Sequence, residues 1–195
     1  MPRTAAQTSD QIIESAMHHF WHHGYSQSSM DDIVKVTGSN RQAIYQHIGG
    51  KKKLFVACFP RYQEQIVGPA MAAVEADGAP AQAIATYFEV MINRMEAEGL
   101  PGPGCLIGNT MAELPKDLEV LAEIDKHFIR LWQGFTKVIT ASSGMKTTDA
   151  APIAESIVIF ANGLWSVSRV TDDASSLRNA AQGFLSMLQT RLRKR

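Results

Sequence analysis

Apolar residues recur along this chain at three- and four-residue intervals, and nowhere do Val, Ile or Thr alternate with polar neighbours as a half-buried strand would require. Ile12, Ile13, Ala16, Met17 and Phe20 form a first stripe that stops at Gly24, a residue suited to ending a helix. Ser29 followed three positions on by Asp32 has the form of a capping box and predicts a short helix with Met30, Ile33 and Val34 inward. Thr37-Gly38-Ser39-Asn40 reads as a turn: Gly38 can take positive φ, and Ser39 or Asn40 can cap the next helix. A second short helix is expected from about Arg41 to His47, with Ala43 and Ile44 inward, and Gly49-Gly50 breaks it. A long helix then starts at Lys51 and is expected to bend near Pro60 and Gly68-Pro69.

Pro80 opens another helix, with Ile84, Tyr87, Phe88, Met91, Ile92 and Met95 on one side. The run Gly99-Leu100-Pro101-Gly102-Pro103-Gly104 is a loop. Further stripes predict helices over about Lys116–Thr140, Pro152–Val170 and Ser175–Leu192. The expected fold is all-α, with an amino-terminal three-helix unit over residues 1–55, an antiparallel helical bundle over 56–195, and about nine helices in total.

Composition supports a folded chain: 45% of the 195 residues are apolar and 19% charged. The longest apolar run, Ile157 to Ala161, ends at Asn162, far short of the ~18 residues of a membrane span. Met1-Pro2-Arg3-Thr4 leads into polar sequence without a signal region, and Cys58 and Cys105 are too few for a disulfide framework. A cytoplasmic protein is the expectation. The net charge of zero conceals a division, since residues 1–62 carry a net +3 while residues 63–190 carry a net −7. A basic head on an acidic body suits an anionic partner that meets only the head.

Two short helices joined by a Gly-containing turn at the basic end describe a helix-turn-helix. Its second helix should be polar where it meets base edges, and Asn40, Arg41, Gln42, Tyr45 and Gln46 are, while Ala43, Ile44 and Ile48 anchor it behind. Arg can read guanine and Gln can read adenine.

The residues from Ile12 to Phe55 go further, for they resemble the DNA-binding domain of the TetR family of bacterial transcriptional regulators. The resemblance rests on Ile12-Ile13, Ala16, Phe20 and Gly24-Tyr25, then Ser29-Met30-Asp31-Asp32-Ile33, then Ile44-Tyr45-Gln46-His47-Ile48 and Lys51-Lys52-Lys53-Leu54-Phe55. Two positions depart from the family pattern: Ile48 replaces the usual Phe, and Ser39 a small aliphatic residue. The resemblance, with its Gly-Cys-Leu segment at Gly104-Cys105-Leu106, implies a ligand-responsive homodimer, most simply a repressor, that binds a near-palindromic DNA operator. It implies that Ser28 or Ser29 binds a phosphate, that Tyr45 and His47 touch the sugar-phosphate backbone, and that Lys51, Lys52 and Lys53 neutralise phosphates. Arg41, Gln42 and Gln46 would carry most of the base reading. The last two helices would pair with their copies, with Ala161, Gly163, Ala180, Ala181 and Gly183 suiting close packing.

A small-molecule effector would bind among the body helices, where Phe88, Met91, Phe128, Trp132 and Trp165 supply apolar surface and Asn109, Thr110 or His127 a polar anchor. Some members of the Gly-Cys-Leu subgroup sense electrophiles through that cysteine. A thiol at a helix N-terminus is acidified, whereas a buried one is inert, and Cys105 fits either description. The pairs His18/His22 and His19/His23 could each bridge a metal, yet no further ligand is near, so neither metal nor cofactor is expected. Two alternatives compete with the regulator. A metal-carboxylate bundle enzyme would need two Glu-x-x-His motifs, but only Glu123 to His127 comes near, at the wrong spacing. The other is a helix-turn-helix adaptor that does not bind DNA.

Overall fold

Thr8 opens the first helix, α1 (Ser9–His23), by a reciprocal capping box: its hydroxyl accepts the Gln11 N–H, and the Gln11 side chain accepts the Thr8 N–H. The computed structural model describes residues 8–193, so the readings made at Met1-Pro2-Arg3-Thr4, and the basic residues Lys194 and Arg195, lie outside the described residues. α1 buries Ile12, Ala16, Met17, Phe20 and Trp21 and ends at Gly24, whose φ of +78° suits only glycine. The expected Ser29–Asp32 capping box opens α2 (Met30–Thr37). Gly38 closes that helix in the left-handed conformation, and the Asn40 side chain accepts the Ala43 N–H at 2.8 Å to start α3 (Arg41–His47).

α4 begins at Lys51 and carries the chain from head to body. Its first segment (Lys51–Tyr62) passes into a π-helical turn (Gln63–Val67) and on to a final segment (Gly68–Glu75). The expected irregularity thus falls between the two prolines. Pro60 and Pro69 each remove an N–H from the ladder, and the helix changes register where the Gly68 N–H reaches back five residues to the Gln63 carbonyl. The body adds α5 (Gln82–Glu98), α6 (Leu106–Glu113), α7 (Leu118–Ser143), α8 (Thr147–Val167) and α9 (Ala174–Arg193). With α4 counted as one bent helix, the described residues form nine helices and no strand.

Two elements differ from expectation. α8 starts at Thr147 rather than Pro152, which sits inside it at an exposed position; Thr148, whose carbonyl loses its partner, is also an exposed residue in the first turn. α6 has no counterpart among the stripes, because its eight residues include Gly108 and Asn109 and bury only Leu106, Ile107 and Thr110. By length and composition α8 alone among the described helices is apolar enough to cross a membrane. One face of that helix is core, with Ala150, Ala154, Ile157, Val158, Ala161, Leu164 and Trp165 buried.

One continuous core joins head and body. Phe20, Phe55 and Phe59 stack edge to face in the head. Trp21 then packs on Tyr62 and donates its indole N–H to the Gly104 carbonyl at 2.8 Å, which ties α1 to the loop before α6. Helix α4 runs unbroken through the expected division at residues 55 and 56.

Candidate nucleic-acid interface

Ile44, fully buried, pins α3 to the head beside the part-buried Ala43, and the other residues of that helix are exposed. Arg41, Gln42, Gln46 and His47 are exposed, and Tyr45 is 54% exposed. The Tyr45 ring lies over Gly50, where a Cβ would come within 2.7 Å of it; that contact and a φ of +97° both require glycine. Arg41 is held across the turn by Asp31 at 2.8 Å, both side chains in solvent.

Three expected contacts look different in the structure. Ser28 is buried, and its hydroxyl donates to the Gly24 carbonyl at 2.6 Å, so it is unavailable to a phosphate. Ser29 is exposed, but its hydroxyl donates to the Asp32 carboxylate at 2.6 Å. The amide oxygen of Asn40 is committed to the α3 cap. The capping chemistry that makes these helices recognisable in the sequence uses the same polar atoms that base or phosphate contacts would need.

The lysines at the start of α4 are in three different states. Lys51 is half-buried with its ammonium 4.1 Å from the centre of the Tyr25 ring, and burial lowers its pKa. Lys52 pairs with Asp117 at 2.6 Å and Lys53 with Glu119 at 2.8 Å. These pairs raise the pKa of Lys52 and hold Asp117 and Glu119 below the usual carboxylate range. Three cations at the positive end of a helix dipole call for an anion, and here the start of α7 supplies it. A second strut runs parallel, for the Glu113 carboxylate at the end of α6 accepts the Ser26 N–H at 2.7 Å.

The first part of the chain, residues 12–58, matches the family model "Bacterial regulatory proteins, tetR family", and residues 80–183 match "Transcriptional regulator LmrA/YxaF-like, C-terminal domain". This chain belongs to the TetR family. The HTH-type transcriptional repressor ComR of Escherichia coli (strain K12) is 29% identical over 109 residues, which span 55% of this chain and about half, 51%, of ComR. The uncharacterized HTH-type regulator YezE of Bacillus subtilis (strain 168) is 22% identical over 91% of this chain and 94% of its own length. In three dimensions, a cysteine mutant of the TetR family regulator CifR, complexed with 26 bp double-strand operator DNA, superposes with a TM-score of 0.80 at 18% identity, covering 95% of this chain and 98% of CifR. TetR-family regulators are DNA-binding transcription factors and not enzymes, so the metal-carboxylate alternative falls.

In the body of this TetR-family chain, the expected ligand residues divide between two cavities and the core. Phe128 and Trp132 line an open cleft of about 590 Å³ between α6, α7 and α8. Met91, Cys105 and Trp165 line an enclosed void of about 10 Å³, no more than one water can fill. Phe88 belongs to neither; it is core, edge to face with Phe160 and Phe184. Asn109 also faces away, its amide donating to the Pro103 carbonyl at 2.8 Å.

Cys105 caps α6, its sulfur accepting the Gly108 N–H, yet it is 5% exposed and burial raises its pKa. Desolvation outweighs the helix terminus and favours the neutral thiol over the thiolate. The histidines of α1 are engaged elsewhere. His19 stacks on His23, His23 approaches the His19 carbonyl, and His22 lies 3.4 Å from Glu98. No group of three or more metal-ligating side chains occurs among the described residues.

Sequence reading offered His127 as a polar anchor for the effector and missed the cluster it belongs to. His127, 4% exposed, shares a 2.8 Å hydrogen bond with the Gln63 amide, and Arg130 reaches the Gln63 carbonyl and side chain while forking onto Glu75. These side chains brace the π-turn of α4 from α7. Burial, with Arg130 nearby, lowers the His127 pKa to about 4.

Proposed function

We propose that this chain is a homodimeric, effector-responsive repressor that acts in the cytoplasm. Residues 1–55 bind a near-palindromic operator, and residues 56–195 bind the effector and pair the two copies. The observation that carries this reading is the exposed polar face of α3, with Arg41, Gln42, Tyr45, Gln46 and His47 lying beside the lysines of α4. A protruding helix of this kind suits the major groove, and the lysines adjoin the flanking phosphates. ComR is named as a transcriptional repressor and CifR was captured on operator DNA, which supports the same activity here.

Pairing is supported by an unpartnered stripe. Ile159 is 72% exposed on α8 and Met187 68% exposed on α9, with Val167 and Val170 also outside. Among the small residues expected at the pairing surface, Ala161 and Ala181 are core, while Gly163, Ala180 and Gly183 lie outside. Gly163 and Gly183 have open space where a Cβ would stand, room for a second helix to come close. Two heads fixed about a two-fold axis then read two half-sites.

Effector release needs only unequal affinity for two arrangements of the heads, with a coupling of ~1–3 kcal/mol. In the present arrangement Lys52 and Lys53 are occupied by Asp117 and Glu119, so operator phosphates must displace two carboxylates. The test is fluorescence anisotropy of the full chain on its own upstream DNA across a salt series. About 6–8 phosphate contacts give a log–log slope near −5 to −7. No retention of that DNA, or a response flat in salt, overturns the reading.

A further inference from the structure

The cleft between α6, α7 and α8 has a one-sided chemistry. Phe128, Ile129 and Trp132 form its α7 wall, and Val158 contributes from α8. Its ionisable lining residues are both acidic, Asp125 on α7 and Glu155 on α8. Neither carboxylate makes an ion pair or hydrogen bond with another described residue. The nearest bases of α7 are turned to that helix's other flank, where Lys126 pairs with Glu123 and Arg130 with Glu75. No Lys, Arg or His lines the cleft. The surrounding body, residues 63–190, carries a net −7, so its field reinforces the local one.

The register of α7 against α8 separates the two acids. The Trp132 indole N–H donates to the Ala151 carbonyl at 3.2 Å, which sets Glu155 near the Trp132 end. Asp125 lies two turns away on α7, on the same face as Phe128, Ile129 and Trp132. The result is an apolar trough of about 590 Å³ with a carboxylate toward each end and two aromatic rings between them. An anion would be repelled by both carboxylates, and a neutral apolar molecule would leave them unused. A flat or bulky apolar molecule bearing positive charge satisfies both the walls and the acids, and its charge gains from the ring faces as well.

We infer that the effector cleft binds lipophilic organic cations. This rests on the proposal that residues 56–195 bind the effector, takes the cleft as that site, and names the chemistry of its ligand. The test uses two probes of nearly the same shape and opposite charge, tetraphenylphosphonium and tetraphenylborate, titrated calorimetrically into the full chain. The expected result is saturable binding of tetraphenylphosphonium at least about tenfold tighter than tetraphenylborate. In the double variant Asp125→Asn with Glu155→Gln that preference falls to within about threefold, while the apolar walls still bind. Both positions are exposed, and an unchanged thermal melt confirms that the variant is folded. Equal or tighter binding of tetraphenylborate, an unaltered preference in the variant, or no binding of either probe overturns the inference.

A parallel anisotropy measurement on operator DNA separates the two readings. Charge-selective binding without release of DNA upholds the cation site and removes its role as effector site. Operator binding with no probe binding removes the cation site alone.

Discussion

Arg41 and Lys52, two cations of the head, meet different neighbours. Arg41 stands on the outward face of α3 with Asp31 as a solvent-exposed partner, an arrangement that water and a base edge can both compete for. Arg41→Ala is expected to cost about 1–3 kcal/mol on the preferred operator and to relax selectivity at one base position, as read by binding to a panel of single-base variants. Lys52→Ala, which removes one phosphate contact from each protomer, is expected to weaken every sequence alike and to reduce the salt slope of the dimer by about 2. The reverse pattern would exchange their assignments. His127 makes a prediction about stability. Its pKa is depressed to about 4 from an ordinary 6.5, so the unfolded chain takes up the proton first as pH falls. The stability it confers is therefore complete above about pH 6.5 and is lost as pH drops toward 4, by about 2 kcal/mol at roughly pH 5. Denaturant melts at several pH values should show this loss, and His127→Gln should flatten it while keeping a hydrogen-bonding partner for Gln63.

Among the elements, α4 carries the connection between the halves, with two devices acting on it. The start of α7 grips its lysines through Asp117 and Glu119, and the middle of α7 braces its π-turn through His127 and Arg130. A shift of α7 caused by a ligand in the adjoining cleft would therefore reach α4 at two points. Asp117 also caps α7, accepting the Glu119 and Val120 N–H groups, so Asp117→Asn preserves the cap while removing the charge. Combined with Glu119→Gln it is expected to free Lys52 and Lys53 and to tighten operator binding about two- to fivefold at low salt. Unchanged or weaker binding would show that the lysines do not exchange carboxylate for phosphate. The regular helices of this connection were legible as stripes and caps. The π-turn was only half legible, since Pro60 and Pro69 mark where hydrogen bonds are lost, whereas Gln63 owes its place to side chains more than sixty positions away.

For the whole molecule, the decisive surface is the one left bare. Ile159, Val167, Val170 and Met187 expose more apolar area than an isolated helical bundle requires, with Gly163 and Gly183 open between them. Gly163→Arg is expected to leave the protomer's thermal unfolding almost unchanged, because nothing lies within 4 Å of its Cβ position. The same change should convert dimer to monomer in sedimentation and lower operator affinity at least about tenfold, since the second head then no longer binds as a linked unit. A Gly163→Arg chain that remains a dimer would place the pairing surface elsewhere. Periodicity, caps and turns are local properties, with partners three or four residues apart, and so the sequence by itself determined the helices of the head, the position of α3 and the all-α class. Family membership followed from the same short-range pattern. Only the tertiary structure decided which polar atoms remain available: Ser28 turned inward, Lys52 and Lys53 met carboxylates from α7, Cys105 was desolvated, and Phe88 became core. Ser28 apart, whose hydroxyl bonds the nearby Gly24 carbonyl, those outcomes depend on neighbours far away in the chain, and burial or pairing by such a neighbour changes a group's chemistry without leaving a trace in the residues beside it.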